Sequence, residues 1–329
     1  MNIRSYSKEG ILFTEVTNDK NLKVVFANLW ASIFKINYDN YVLTRNVKYV
    51  SDFYNPTIYY GKTIGRVSNR MKGHAFILNG LRYELEPNEG NNVLHGGKYG
   101  LSYALFDVNV LKDNDKIEVV YTHVVKHLED GYPGNLNVEV KYIVYTNSNE
   151  IDIEYNAVSD MDTVLSLCNH SYFTLGCKSI RGLTLEIDAN NYLKTDGDTL
   201  LAIDRKFVTK ALDFRTPKRF IRDLDDESLH SSRLNGYDHY YYFEDIDIKK
   251  KRLSLSNAKF QMDIYTNYPG IQIYTSGFDP QVALYPNTEG LFDSVAIEPS
   301  DSFKSLHLLK KDTLYSRTTK YIFINKENK

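Results

Sequence analysis

The chain alternates. Runs such as "LKVVFANL", "KIEVVYTHVV", "LNVEVKYIVYT", "IDIEYNAV", "LTLEIDA", "FQMDIYT", "IQIYTSGF" and "VAIEPS" set β-branched or aromatic residues at every second position, with Asn, Asp, Gly and Lys between the runs. In an extended chain successive side chains point to opposite faces, so a period of two builds half-buried strands. Leu136, Val138 and Val140 take one such face, and Asn137, Glu139 and Lys141 take the other. Tyrosine, at 27 residues against 16 Phe and one Trp, favours the same pleated surfaces. Many short strands with turn signals between them specify an all-β chain, a large antiparallel β-sandwich with few short helices. Two stretches break the pattern. "GKTIGRVSNRM" predicts one or two helical turns, and "RDLDDESLHSSRL" predicts a short surface helix.

A chain of 329 residues is long enough for two average domains. No Pro- or Ser-rich linker, repeat or low-complexity segment divides it, so residues 1–329 are expected to form a single domain with one large core. The charges nearly balance, with 40 Lys and Arg against 42 Asp and Glu, a formal net charge of −2. That balance offers no electrostatic footprint for nucleic acid or an anionic membrane. The densest basic run, Lys249 to Arg252, lies between two strand-like segments and reads as a solvated hairpin turn. The N-terminal "MNIRSYSKEGILFTEV" lacks the apolar run of a signal peptide, and no stretch is long and apolar enough to span a bilayer. Two cysteines make no disulfide framework, which points to the cytoplasm. "NHS" at 169–171 matches a glycosylation sequon, but the apolar alternation around it predicts burial.

The chemistry is expected where polar residues interrupt strand-like segments. In "LSLCNHSYFTLG", residues 165–176, Leu165, Leu167, Phe173 and Leu175 share one face, while Ser166, Cys168, His170 and Tyr172 share the other. His170 is open to three readings: a satisfied core histidine, a metal ligand with Cys168 and Cys177, or a catalytic acid or base. Cys177 has the parity of the opposite face, and neither CxxC nor HxxxH spacing occurs, which argues against metal. His95 precedes Gly96 and Gly97, a pair suited to positive φ or to close passage of the backbone. Arg66 and Arg70, four apart, would share one side of a helical turn. Glu298 is expected at a strand end, because Pro299 stops ladder pairing. Asp238 opens an aromatic strand, and Gln272 and Tyr274 face away from Ile271 and Ile273. Imidazole, carboxylate, guanidinium, amide and phenol together suit an uncharged ligand with many hydroxyls and flat apolar faces, a sugar. No GxGxxG after a strand, no P-loop and no GxSxG elbow competes.

The segments "GRVSNR", "NVLHGG", "EDGYPGNL", "NHSYFTL", "YDH" and "IEPS", in that order from about residue 60 to residue 300, resemble the aldose 1-epimerases, also called galactose mutarotases. The resemblance implies a galactose mutarotase-like supersandwich that interconverts α- and β-hexoses such as galactose and glucose. It also implies an isomerase with no cofactor and no metal, whose partner is a small aldose and neither nucleic acid, membrane nor protein. It assigns His170 as general acid, Glu298 as general base, and His95 to the charge at the ring oxygen. Asn69, Arg70, His95, His170, Ser171, Tyr172, Asp238 and Gln272 would bind the sugar. Where the family usually continues to a tryptophan after HGG, this chain has Phe106, which bears on sugar preference.

Opening a pyranose needs a base at the anomeric hydroxyl and an acid at the ring oxygen. Reference pKa values of about 4.3 for Glu and about 6.5 for His suit the two roles. Glu298 and His170, if adjacent, should each favour the other's charged form, giving a bell-shaped pH profile with its alkaline limb set by His170. Three rivals remain: a glycoside hydrolase using Asp238 and Glu298, a non-catalytic sugar-binding module, and a hexose-6-phosphate epimerase. The last needs extra cationic groups, and the "LHGG" form of the motif argues against it.

Overall fold

The alternating runs become strands, and antiparallel ladders join them into two large sheets and several small ones. The computed structural model describes residues 1–288, 290–301 and 307–328. A nine-stranded sheet is built around Lys116–Val125, Leu136–Tyr145, Glu150–Ser159 and Tyr315–Asn325. An eight-stranded sheet carries, as neighbours, Asp238–Tyr242, Gly270–Tyr274, Val295–Ser300, Tyr172–Phe173 and Thr44–Val47. An N-terminal five-stranded sheet runs from Asn2–Lys8 to Tyr41–Val42. The helical segments among the described residues are 3-10 turns of three to five residues.

The two large sheets share one apolar core. Leu136, Val138 and Val140 turn into it, as the alternation requires, and meet Ile271, Ile273, Val295, Ile297 and Phe173 from the eight-stranded sheet. Each fully buried side chain of this kind contributes about 1.5–3 kcal/mol. Pleating sends the alternate residues the other way. Register places Gln272 beside Glu298, Tyr240 beside Gln272, and Tyr172 beside Ala296. One side of the sheet is therefore the core wall, and the other is a polar and aromatic floor.

Local pattern and structure part at four places. Pro299 does not end its strand, which runs to Ser300 with Pro299 opposite Ile271, so Glu298 lies within the sheet and is buried. Proline removes a single donor, and the ladder continues on either side of it. "GKTIGRVSNRM" is not helical: Thr63–Ile64 pairs with Cys168–Asn169, and Arg70–Met71 pairs with Val93–Leu94. Between these pairs the Ser166 N–H donates to the Arg66 carbonyl, and the Ser68 N–H donates to the Ser166 carbonyl. Ladder partners on a neighbouring segment override the helical spacing of the arginines. "RDLDDESLHSSRL" forms only the 3-10 turn Glu227–Leu229, with Asp226 accepting from the Ser228 N–H. In the basic run Lys249 and Lys250 are solvated, but Arg252 is buried against Asp188 and Asp245. Asn169 of the sequon is also buried, with its amide donating to the Gly61 carbonyl.

Candidate active site

His170 is held from both sides before it meets any ligand. Its N–H donates to the Lys62 carbonyl, and its own carbonyl accepts from the Gly61 N–H, each at 2.9 Å. From the core, Tyr268 donates to the Leu167 carbonyl at 2.6 Å, and the Leu167 N–H donates to the Tyr315 hydroxyl at 3.2 Å. The imidazole lies between two near-parallel rings, Tyr172 at 4.9 Å and Tyr59 at 5.8 Å. So fixed, Nε2 stands 3.3 Å from Oε1 of Glu298.

His95 comes from the other wall. Its N–H bonds to the Asn69 carbonyl, and its Nδ1 accepts from the Asn69 N–H at 3.1 Å. An accepting Nδ1 leaves the proton of neutral imidazole on Nε2, so His95 is a donor there. Gly96 makes this turn possible: its φ is +90°, and a Cβ there would lie 1.9 Å from the Gly65 carbonyl oxygen. Arg70 is clamped by Glu89 through Nε and Nη2, at 2.8 and 2.9 Å, and its Nη1 reaches Asp238 at 3.4 Å. The other oxygen of Asp238 accepts from the Gln272 amide. These groups line a cavity of about 390 Å³, within the roughly 300–1,000 Å³ common for small-molecule sites. Among the described residues, two buried polar atoms of its wall, His170 Nδ1 and Gln272 Oε1, have no hydrogen-bond partner.

Burial sets the protonation here. It lowers His170 to about 3; its own backbone opposes the drop, and Lys62 and Arg70 add to it. It raises Glu298 well above the carboxylate range; Asp238 adds to this and Arg70 opposes it. His95 is held well down by burial, then by His170 and Arg70, and is neutral. The expectation that each group favours the other's charged form is therefore corrected: burial disfavours the charge on both, which favours a protonated Glu298 beside a neutral His170. Beneath the site Lys62, also buried, lies with its ammonium 3.2 Å from the ring centre of Trp30 and donates to the Asn55 carbonyl.

The sequence pattern of the family described as aldose 1-epimerase matches residues 13–321. The chain belongs to the aldose 1-epimerase family. It is an isomerase that interconverts the α- and β-anomers of an aldose. The galactose mutarotase of Sus scrofa is 30% identical over 282 residues, covering 80% of this chain and 79% of that protein. The aldose 1-epimerase of Escherichia coli K12 is 30% identical over 228 residues, 66% of this chain and 63% of that one. In structure, a galactose 1-epimerase from Lactobacillus acidophilus shares the fold with a TM-score of 0.86 over 98% of both chains, at 24% identity.

Within this epimerase the cavity gathers Asn69, Arg70, His95, His170, Tyr172, Asp238, Gln272 and Glu298. Ser171 is not among its lining residues; the hydroxyl is buried and donates to Asn169 Oδ1, so it supports the backbone beside His170. Arg66 is elsewhere too, ion-paired with Asp130 at 2.8 Å and donating to the Pro133 and Gly134 carbonyls. It anchors the "EDGYPG" turn. Phe106 is buried in the main core. Cys177 accepts from Asn257 and packs against that core, whereas Cys168 faces Glu298, so the two cysteines and His170 do not converge. A different trio does: ligand atoms of His95, His170 and Glu298 lie within 4.8 Å of one another. By type they could hold a metal, but anomer exchange moves protons only and asks for none. Sequence reasoning missed Tyr59, Glu89, Arg233 and Phe278, which also line the cavity. Tyr59 sits in an irregular segment with no period to mark it. Glu89 carried one signal, its place six residues before His95.

Proposed function

We propose that this aldose 1-epimerase acts on neutral hexopyranoses of the galactose and glucose type, with His170 as general acid and Glu298 as general base. The observation that carries the proposal is the 3.3 Å contact between His170 Nε2 and Glu298 Oε1 in a cavity lined with hydrogen-bonding groups. When a sugar hydroxyl bonds to Glu298 Oε1 it favours the ionised carboxylate, and the proton crosses to His170. Glu298 then takes the proton from O1 as the C1–O1 double bond forms and the C1–O5 bond breaks. His170 delivers its proton to O5, while His95 Nε2–H donates toward the same oxygen. Rotation about C1–C2 presents the other carbonyl face, and closure runs the steps in reverse. Arg70, Asp238 and Gln272 hold the remaining hydroxyls, with Asn69 and Tyr172 completing the cavity wall.

A hexose phosphate fits less well. The cationic side chains lining the cavity are already engaged, Arg70 by Glu89 and Asp238, and Arg233 by Glu89 at 3.5 Å. Asp238, with Arg70 and Gln272 on its oxygens, is likewise committed to binding rather than free to serve a hydrolase. Residues 1–329 are read as one unit. Two free thiols support a reducing compartment such as the cytoplasm, and no described helix is long and apolar enough to cross a membrane.

Polarimetry on freshly dissolved α-galactose and α-glucose tests the assignment. Wild type should accelerate mutarotation, and His170→Asn should lose about 10²–10⁴-fold. Glu298→Gln should still bind sugar but fall by a similar factor. A binding module would leave the rate at its buffer value. A folded His170→Asn variant with full activity would remove the assignment.

A further inference from the structure

The ring-opening scheme uses one oxygen of Glu298 and leaves the other unexplained. Oε1 faces His170, while Oε2 lies 3.8 Å from the Sγ of Cys168, a contact within reach of a thiol hydrogen bond. The Ser68 hydroxyl acts on the same thiol, opposing the rise in its pKa, and Ser68 Oγ is 2.7 Å from Ser166 Oγ. All four side chains are buried, and neither serine nor Cys168 lines the cavity. A short polar file of Cys168, Ser68 and Ser166 thus backs the carboxylate on the side away from the cavity.

We propose that Cys168 is a positioning residue for Glu298, its thiol donating to Oε2 so that the carboxyl plane is fixed and Oε1 is presented to the anomeric hydroxyl. Burial and the nearby carboxylate raise the thiol's pKa well above its ordinary value, which keeps the proton on sulfur. Each turnover needs the carboxylate, so a donor at Oε2 acts on the step and not on sugar affinity. The inference rests on Glu298 being the base. Glu298→Gln tests that reading, and Cys168 variants test the support independently.

The groups that face Glu298 are His170, His95, Arg70, Asp238, Cys168, Tyr172 and Tyr321; the experiment changes Cys168 alone. Mutarotation is measured for the full chain as wild type, Cys168→Ala and Cys168→Ser between about pH 5 and 10, with melting temperatures alongside. Cys168→Ala should lose about three- to tenfold in kcat, the worth of one modest hydrogen bond, with KM within about twofold. Its alkaline limb should move to higher pH, because the carboxylate has lost a donor. Cys168→Ser, a stronger donor of similar size, should restore kcat and bring the limb to or below its wild-type position. An unchanged kcat and limb in Cys168→Ala overturns the proposal. So does a serine variant that behaves like alanine, or activity loss that follows lowered stability with the limb in place.

Discussion

A histidine and a glutamate in contact can share one proton or each hold a charge, and at this site burial decides. His170 is driven down to about 3 and Glu298 upward. The sign of the pH dependence follows. A second proton joins the pair only near the lowered His170 value, so activity should stay level from neutrality down to about pH 4.5. On the alkaline side the pair keeps its proton beyond the ordinary carboxylate range, and activity falls as that proton leaves. The limb belongs to the coupled pair and not to His170 alone. An acid limb near pH 6 in the kcat/KM profile of wild-type enzyme would contradict this account, since it would show a histidine of the free enzyme titrating as if in water.

At the scale of elements, the turn at Gly96 sets where His95 stands. Gly96→Ala puts a Cβ against the Gly65 carbonyl oxygen at a φ that side chains resist. A strained backbone costs about 1–3 kcal/mol, and relief requires moving the turn. The variant should melt at a lower temperature and lose sugar affinity, measurable by calorimetry and by KM. Elements were also where sequence reading succeeded and failed. Alternation marked both faces of the His170 segment: Leu165, Leu167, Phe173 and Leu175 are in the core, while Cys168, His170 and Tyr172 face the site or its base. It also separated Gln272 and Tyr274 from Ile271 and Ile273. The arginine spacing in "GRVSNR" misled, because a pairing partner a hundred residues away decides that segment's conformation. Tyr59 was illegible, and Glu89 nearly so, for a related reason. Each matters through one spatial neighbour, Arg70 or the His170 ring, that no local period announces.

For the whole molecule, charge distribution sets what can enter. The net charge of −2 gives little long-range steering. Inside the cavity the anions Glu89 and Asp238 are matched by the cations Arg70 and Arg233, and burial disfavours a charge on Glu298. Neutral sugars should therefore turn over at rates nearly independent of salt. Glucose 6-phosphate should show kcat/KM at least about tenfold below glucose, a factor equal to about 1.4 kcal/mol. Comparable efficiency for the two would show that the ion pairs open to take phosphate.

The protein has one tryptophan, and Trp30 lies under the ammonium of Lys62, whose carbonyl receives the His170 N–H. Indole emission from this chain thus has a single source, two residues' reach from the reacting centre. Titrating galactose into Glu298→Gln, which binds without converting, should shift that emission saturably, so the molecule carries its own optical gauge of occupancy. A flat signal across a range where calorimetry detects binding would show that the floor beneath His170 stays rigid as the sugar docks.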